Sequence, residues 1–104
     1  MLSRKQLIPL RTEFLKIKKA GKFSETPLFN IIFANNDFDY PRFAFIVSKK
    51  VDKSSVVRHQ VKRRLADAVR NLKITGDMII FAKKAVVGKK IPEVKNEINN
   101  LISN

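Results

Sequence analysis

The residues best suited to chemistry concentrate in one stretch, Ser48 to Arg64, which reads SKKVDKSSVVRHQVKRR. Side chains of this kind bind anions. They supply neither a carboxylate cluster for a catalytic metal nor a nucleophile with a base beside it. If a helix starts near Ser54 or Ser55, a turn of about 100° per residue spreads Arg58, His59, Lys62, Arg63 and Arg70 along an arc beside and opposite a Val57/Val61/Leu65 stripe. Arg58, Lys62 and Arg63 crowd the N-terminal half, where the helix macrodipole disfavours cations. No Glu stands four residues away to pair with them, although Asp67 can reach Arg63 or Arg70. An idle solvated face is the plainer use of surface cations, but unpaired charge at the unfavourable helix end suits phosphate oxygens better. Arginine forks and the backbone amides of a helix start both bind such oxygens.

Other candidates are poorer. Asp37 and Asp39 form a D-x-D pair in NNDFDY, but their Asn- and Pro-flanked setting fits turn geometry better than metal binding. His59 has no acid or nucleophile partner in view, and the absence of cysteine removes thiolate chemistry and zinc ribbons. The chain is therefore expected to contain no catalytic residue, no metal site and no cofactor of its own. With 22 Lys plus Arg against 9 Asp plus Glu, its formal charge of +13 calls for a polyanionic partner. The N-terminus lacks the apolar run of a signal peptide and no segment approaches a membrane span, so a cytoplasmic location is expected.

These residues need elements to position them, and 104 residues suffice for one domain, 1–104. Residues 1–10 read as an irregular arm. Leu10, Phe14 and Ile17 then recur at helical spacing, with Gly21 where a C-cap belongs, which predicts a helix over about 11–20. Thr26 to Ala34 and Arg42 to Ser48 read as strands, and the loop between them predicts an antiparallel hairpin. In the first strand Phe29, Ile31 and Phe33 share one face, leaving Leu28, Asn30 and Ile32 on the other; Asn30 suggests that this second face is not sealed core. Ser54 to Leu72 is the clearest helix, Met78 to Ala82 a buried strand, and Val94, Ile98, Leu101 and Ile102 the apolar side of a closing helix after Pro92. The order α-β-β-α-β-α describes an α+β fold with helices packed on a small mixed sheet.

Ser48-Lys49-Lys50-Val51, followed by Val57-Arg58-His59-Gln60-Val61-Lys62-Arg63, resembles the signature of the bacterial ribonuclease P protein component. In that family a strand ends in a Ser-Lys-Lys type sequence, and the helix after it carries an Arg-Asn-Arg-hydrophobic-Lys-Arg motif. The resemblance runs from about Leu7 to Leu101, with Phe14, Ile17 and Gly21 at the family's first-helix Phe, Val and Gly. It implies a noncatalytic subunit that binds a large catalytic RNA and the 5′ leader of precursor tRNA, assisting removal of that leader. Mg²⁺ is then expected at the partner RNA. It also implies a left-handed β-α-β crossover from the second strand through the long helix, against the usual right-handed rule.

The residues that the resemblance assigns to the RNA subunit are Lys49, Lys50, Lys53, Arg58, His59, Gln60, Lys62 and Arg63, with His59 and Gln60 standing where the family has Asn and Arg. Those assigned to the leader are Phe14, Ile17, Lys18, Asn30 and Ile32, in a cleft between the first helix and the sheet. Lys18 and Ile32 stand where relatives often carry aromatics, which implies weaker stacking and stronger phosphate attraction. Phe14 can equally be an ordinary core anchor. A ribosomal or other structural RNA-binding protein of the same charge and size is the competing reading, and a self-sufficient nuclease the other.

Overall fold

The computed structural model describes residues 2–103. A turn of 3-10 helix at Arg4–Gln6 precedes α1 (Leu10–Ala20), β1 (Lys22–Glu25), β2 (Phe29–Ala34), β3 (Pro41–Ile46), α2 (Ser55–Val69), β4 (Gly76–Ala82), a second 3-10 turn at Lys84–Val86, and α3 (Ile91–Ser103). The four strands form one mixed sheet in the order β1-β2-β4-β3. The expected class, helices on a small mixed sheet, is what the chain adopts. Its detail differs at three points.

β1 was not expected: KFSE is short and polar, with one half-buried residue, as an edge strand can be. The hairpin is accordingly β1–β2, closed at residues 26–28. There Thr26 Oγ1 donates to Phe29 O at 2.8 Å and accepts from Phe29 N at 3.0 Å, so Thr26 belongs to the turn and not to the strand. The expected β2–β3 hairpin does not form, because β4 lies between them, antiparallel to β2 and parallel to β3. Met78 to Ala82 contains no polar side chain, and Met78, Ile79 and Ile80 are buried whichever way they point. Seating that run in the sheet interior hides more apolar surface than leaving it at an edge. Pro41, which lacks an N–H for the ladder, opens β3 at the opposite edge.

Alternation divides the sheet into two faces. Phe29 and Ile31, Phe43 and Phe45, and Met78 and Ile80 pack against Val61, Leu65, Ala68 and Val69 of α2 and Val94 and Ile98 of α3. Leu28 joins this cluster instead of the face shared by Asn30 and Ile32, since it lies in the turn where strand alternation no longer applies. On the opposite face Ile32, Ala34, Ala44 and Ile79 meet Ile17 of α1. α1 approaches closely at its end: a Cβ on Gly21 would lie 2.5 Å from Ile32 Cγ2 and 2.7 Å from Ile17 O. Gly21 does follow the helix as expected, but its φ is −85°, so close packing and not a left-handed cap calls for glycine there.

Candidate nucleic-acid interface

α2 begins at an N-cap Ser54 whose Oγ accepts from Val57 N at 3.3 Å, and its first turn contains no acid. Burial of Val61, Leu65, Ala68 and Val69 fixes the helix's rotation and turns His59, Gln60, Lys62 and Arg63 outward, all exposed. Lys49, Lys50 and Lys53 are exposed on the loop before it, which is anchored by buried Val51. Arg58 is half-buried: its Nη1 donates to Asp52 O at 3.1 Å and Lys53 O at 2.9 Å, so it braces the loop and offers only the rest of its fork. Asp67 makes no ion pair with Arg63 or Arg70 among the described residues, leaving the helix's cations less neutralised than the sequence suggested.

The second group lies across the sheet. Phe14 is half-buried, with its ring edge-on to Phe81 at 6.3 Å between centroids, and Lys18 is exposed one turn further along α1. Ile17 and Ile32 are buried beneath them at 3% and 7% exposure, so they form the floor, while Phe14, Lys18 and Asn30 retain access to solvent. Asn30 Oδ1 is buried without a hydrogen-bond partner. Such an acceptor ordinarily costs about 1–3 kcal/mol, which a ligand's donor would offset. Phe14 is thus both a packing residue and an accessible ring.

Two features of this face escaped the sequence reading. Phe23, 61% exposed, pairs with Ile32 across the β1–β2 ladder and so shares its face, adding an open aromatic beside the cleft. Its signal was hidden with β1 itself. The other is an ionic network at the first turn of α1. Arg42 donates from Nε and Nη2 to Asp77 Oδ1 and Oδ2 at 2.8 and 2.7 Å, and from Nη1 and Nη2 to Glu13 Oε2 and Oε1 at 3.0 and 2.8 Å. Asn36 Nδ2 also donates to Asp77 Oδ1, at 2.8 Å. Arg42 and Asp77 are buried, and the guanidinium lies 4.8 Å from the centroid of the Phe38 ring. Hydrogen bonding to Arg42 lowers the Glu13 pKa, and bonding to Asp77 and then Glu13 raises that of Arg42. This network ties the helix carrying Phe14 to β3 and β4. The spacing of Glu13, Arg42 and Asp77 in sequence gives no hint of it.

In the loop that carries Asp37 and Asp39, the Asx turn is made by their neighbour Asn36, whose Oδ1 accepts from Phe38 N at 3.0 Å; both aspartates are exposed. Among the described residues no group of three or more His, Cys, Asp or Glu could hold a metal ion, and no helix is long and apolar enough to cross a membrane.

The arrangement defines a class: a small α+β protein with an exposed cationic helix on one side of a mixed sheet and a half-open aromatic cleft on the other. A family model described as Ribonuclease P matches residues 2–104. The ribonuclease P protein component of Syntrophus aciditrophicus is 31% identical, over 98% of this chain and 88% of that protein. That of Clostridium acetobutylicum is 37% identical, over 88% and 81%. An RNase P protein mutant from Staphylococcus aureus superposes with a TM-score of 0.83 at 23% identity, over 96% of this chain and 87% of that one. The chain belongs to the ribonuclease P protein family, the protein component of an endoribonuclease complex that acts in tRNA 5′ processing.

Proposed function

We propose that the chain is a noncatalytic subunit that docks the catalytic RNA on α2 and holds the 5′ leader of precursor tRNA against α1. The supporting observation is the outward face of α2, where His59, Lys62 and Arg63 are exposed and Lys62 and Arg63 have no acidic partner among the described residues. Lys49, Lys50, Lys53, Gln60 and the free part of the Arg58 fork extend this surface, placing positive charge where phosphates would otherwise repel one another. In the cleft, Phe14 offers a ring for a base, Lys18 a cation for the backbone, and Asn30 an unfilled acceptor over the floor made by Ile17 and Ile32. The Mg²⁺ ions that activate water belong to the RNA. This chain's residues bind and orient, working with RNA in the cytoplasm and needing no protein partner.

Reconstitution tests the reading. Cleavage of precursor tRNA at low Mg²⁺ is expected only when chain and catalytic RNA are combined. Nuclease activity from the rigorously purified chain, lost on replacing Asp37 and Asp39, would overturn it. In the Lys62→Ala/Arg63→Ala double variant, RNA binding should weaken and its log–log salt slope flatten by about one unit per lost phosphate contact. An unchanged slope would remove α2 from the interface.

A further inference from the structure

His59, Lys62, Arg63 and Ala66 recur at helical spacing and share one side of α2. That side faces the edge of β3, where the N-terminal segment is fixed: Leu7 forms a parallel bridge with Phe43, and Ile8 N donates to Phe43 O at 2.9 Å. Between helix and segment lies a pocket of about 370 Å³, at the lower end of the roughly 300–1,000 Å³ typical of small-ligand sites. Its walls are apolar, Leu7, Phe45 and Ala66 among them, while His59, Lys62 and Arg63 form a cationic side. Leu7 is 50% exposed, so its side chain is open to a ligand beside that cationic side.

We propose that this pocket takes an unstacked nucleotide of the catalytic RNA, its base against Leu7 and Ala66 and its phosphate on Lys62 and Arg63. The inference rests on the reading of α2 as the RNA-docking helix and adds a base-binding site to a surface otherwise described by phosphate contacts alone. Charge complementarity points to the occupant: a planar base, whose π faces can lie on apolar walls while its polar edge reaches the open mouth, carries a phosphate that matches the cations on one side. His59 adds a ring on which the base can stack. The same RNA that spans the exposed face of α2 reaches the pocket within one helical turn.

Reversing the expected sign of a charge effect tests the proposal. Leu7→Lys adds a cation beside the rim, so a purely electrostatic surface must bind the ribonuclease P RNA more tightly, with a steeper salt slope. A base lodged against Leu7 requires the opposite, a loss of about tenfold in affinity without a steeper slope. Leu7→Met should retain wild-type binding, and Ala66→Phe, which puts a ring into the pocket, should weaken binding with the salt slope unchanged. Because Leu7 is half-exposed and its bridge is made by the backbone, its variants should keep the wild-type melting temperature. If Ala66→Phe does not fold, the pair of Leu7 variants decides alone. Equal or tighter binding by Leu7→Lys overturns the pocket while Lys62→Ala/Arg63→Ala still upholds the docking helix; an unchanged slope in that double variant overturns both.

Discussion

The two faces of the sheet obey the same alternation and end differently. Among the described residues fourteen buried side chains join the cluster under α2 and α3, but only six join the one under α1. Two helices cover the first face, whereas the single 11-residue α1 leaves Phe14 and Asn30 half-buried and Phe23 open on the second. A closely covered face, open only in a pocket beside Phe33, Leu101 and Ile102, and a half-open one thus stand back to back in one small domain. The first can carry the fold's apolar burial, which frees the second to keep an unpaired acceptor and accessible rings.

Phe29→Ala should break the comparison most severely. The ring is fully buried on the face under α2 and α3, and its loss should cost about 3–5 kcal/mol in chemical denaturation, enough to unfold a large part of the population. Arg42→Ala should cost a similar amount, about 3–5 kcal/mol, for a different reason: Asp77, 3% exposed, would lose the guanidinium that pairs its buried carboxylate. The double variant Arg42→Leu/Asp77→Asn should recover much of that loss, read in a double-mutant cycle with Arg42→Leu and Asp77→Asn alone.

Phe14→Ala should sharpen the contrast by affecting binding more than folding. Stacking of a base is worth about 1–3 kcal/mol, so the assembled complex should lose affinity of that order for precursor tRNA, with mature tRNA nearly unaffected. Equal losses for both substrates would place the leader elsewhere. Asn30→Leu should move stability and binding in opposite directions. Removing a buried unsatisfied acceptor should raise stability by about 1 kcal/mol in the same denaturation assay, while leader binding weakens.

The smallest expected effect is that of pH. Because Arg42 holds Glu13 below its ordinary pKa of 4.5, the pair's contribution is complete above that value and is lost as pH falls through the lowered one. Glu13→Gln should therefore unfold with a shallower acid dependence below pH 4.5 than the parent chain. Identical acid limbs would show that the pair does not couple α1 to the sheet.

Local pattern determined a good deal of this. The apolar stripe of Val61, Leu65 and Ala68 by itself turns His59, Lys62 and Arg63 of α2 outward, because helical period and burial act within a few residues. The alternation of Phe29, Ile31 and Phe33 against Asn30 and Ile32 likewise gave two faces of unequal character, and the Ser48–Arg63 motif gave the family. Strand order lay beyond such reasoning: β2 and β3 are neighbours in sequence, yet β4 separates them, since the seat of the most apolar strand depends on what every other strand and helix can cover. The same holds for Arg42, whose partners lie 29 and 35 residues away. It holds too for the pocket at the β3 edge, where Leu7 meets α2 only after the chain has closed. Periodicity reports which side of an element is apolar. Which partner that side meets, and how completely it is covered, is a global minimisation of exposed surface and unpaired charge that only the tertiary structure decides.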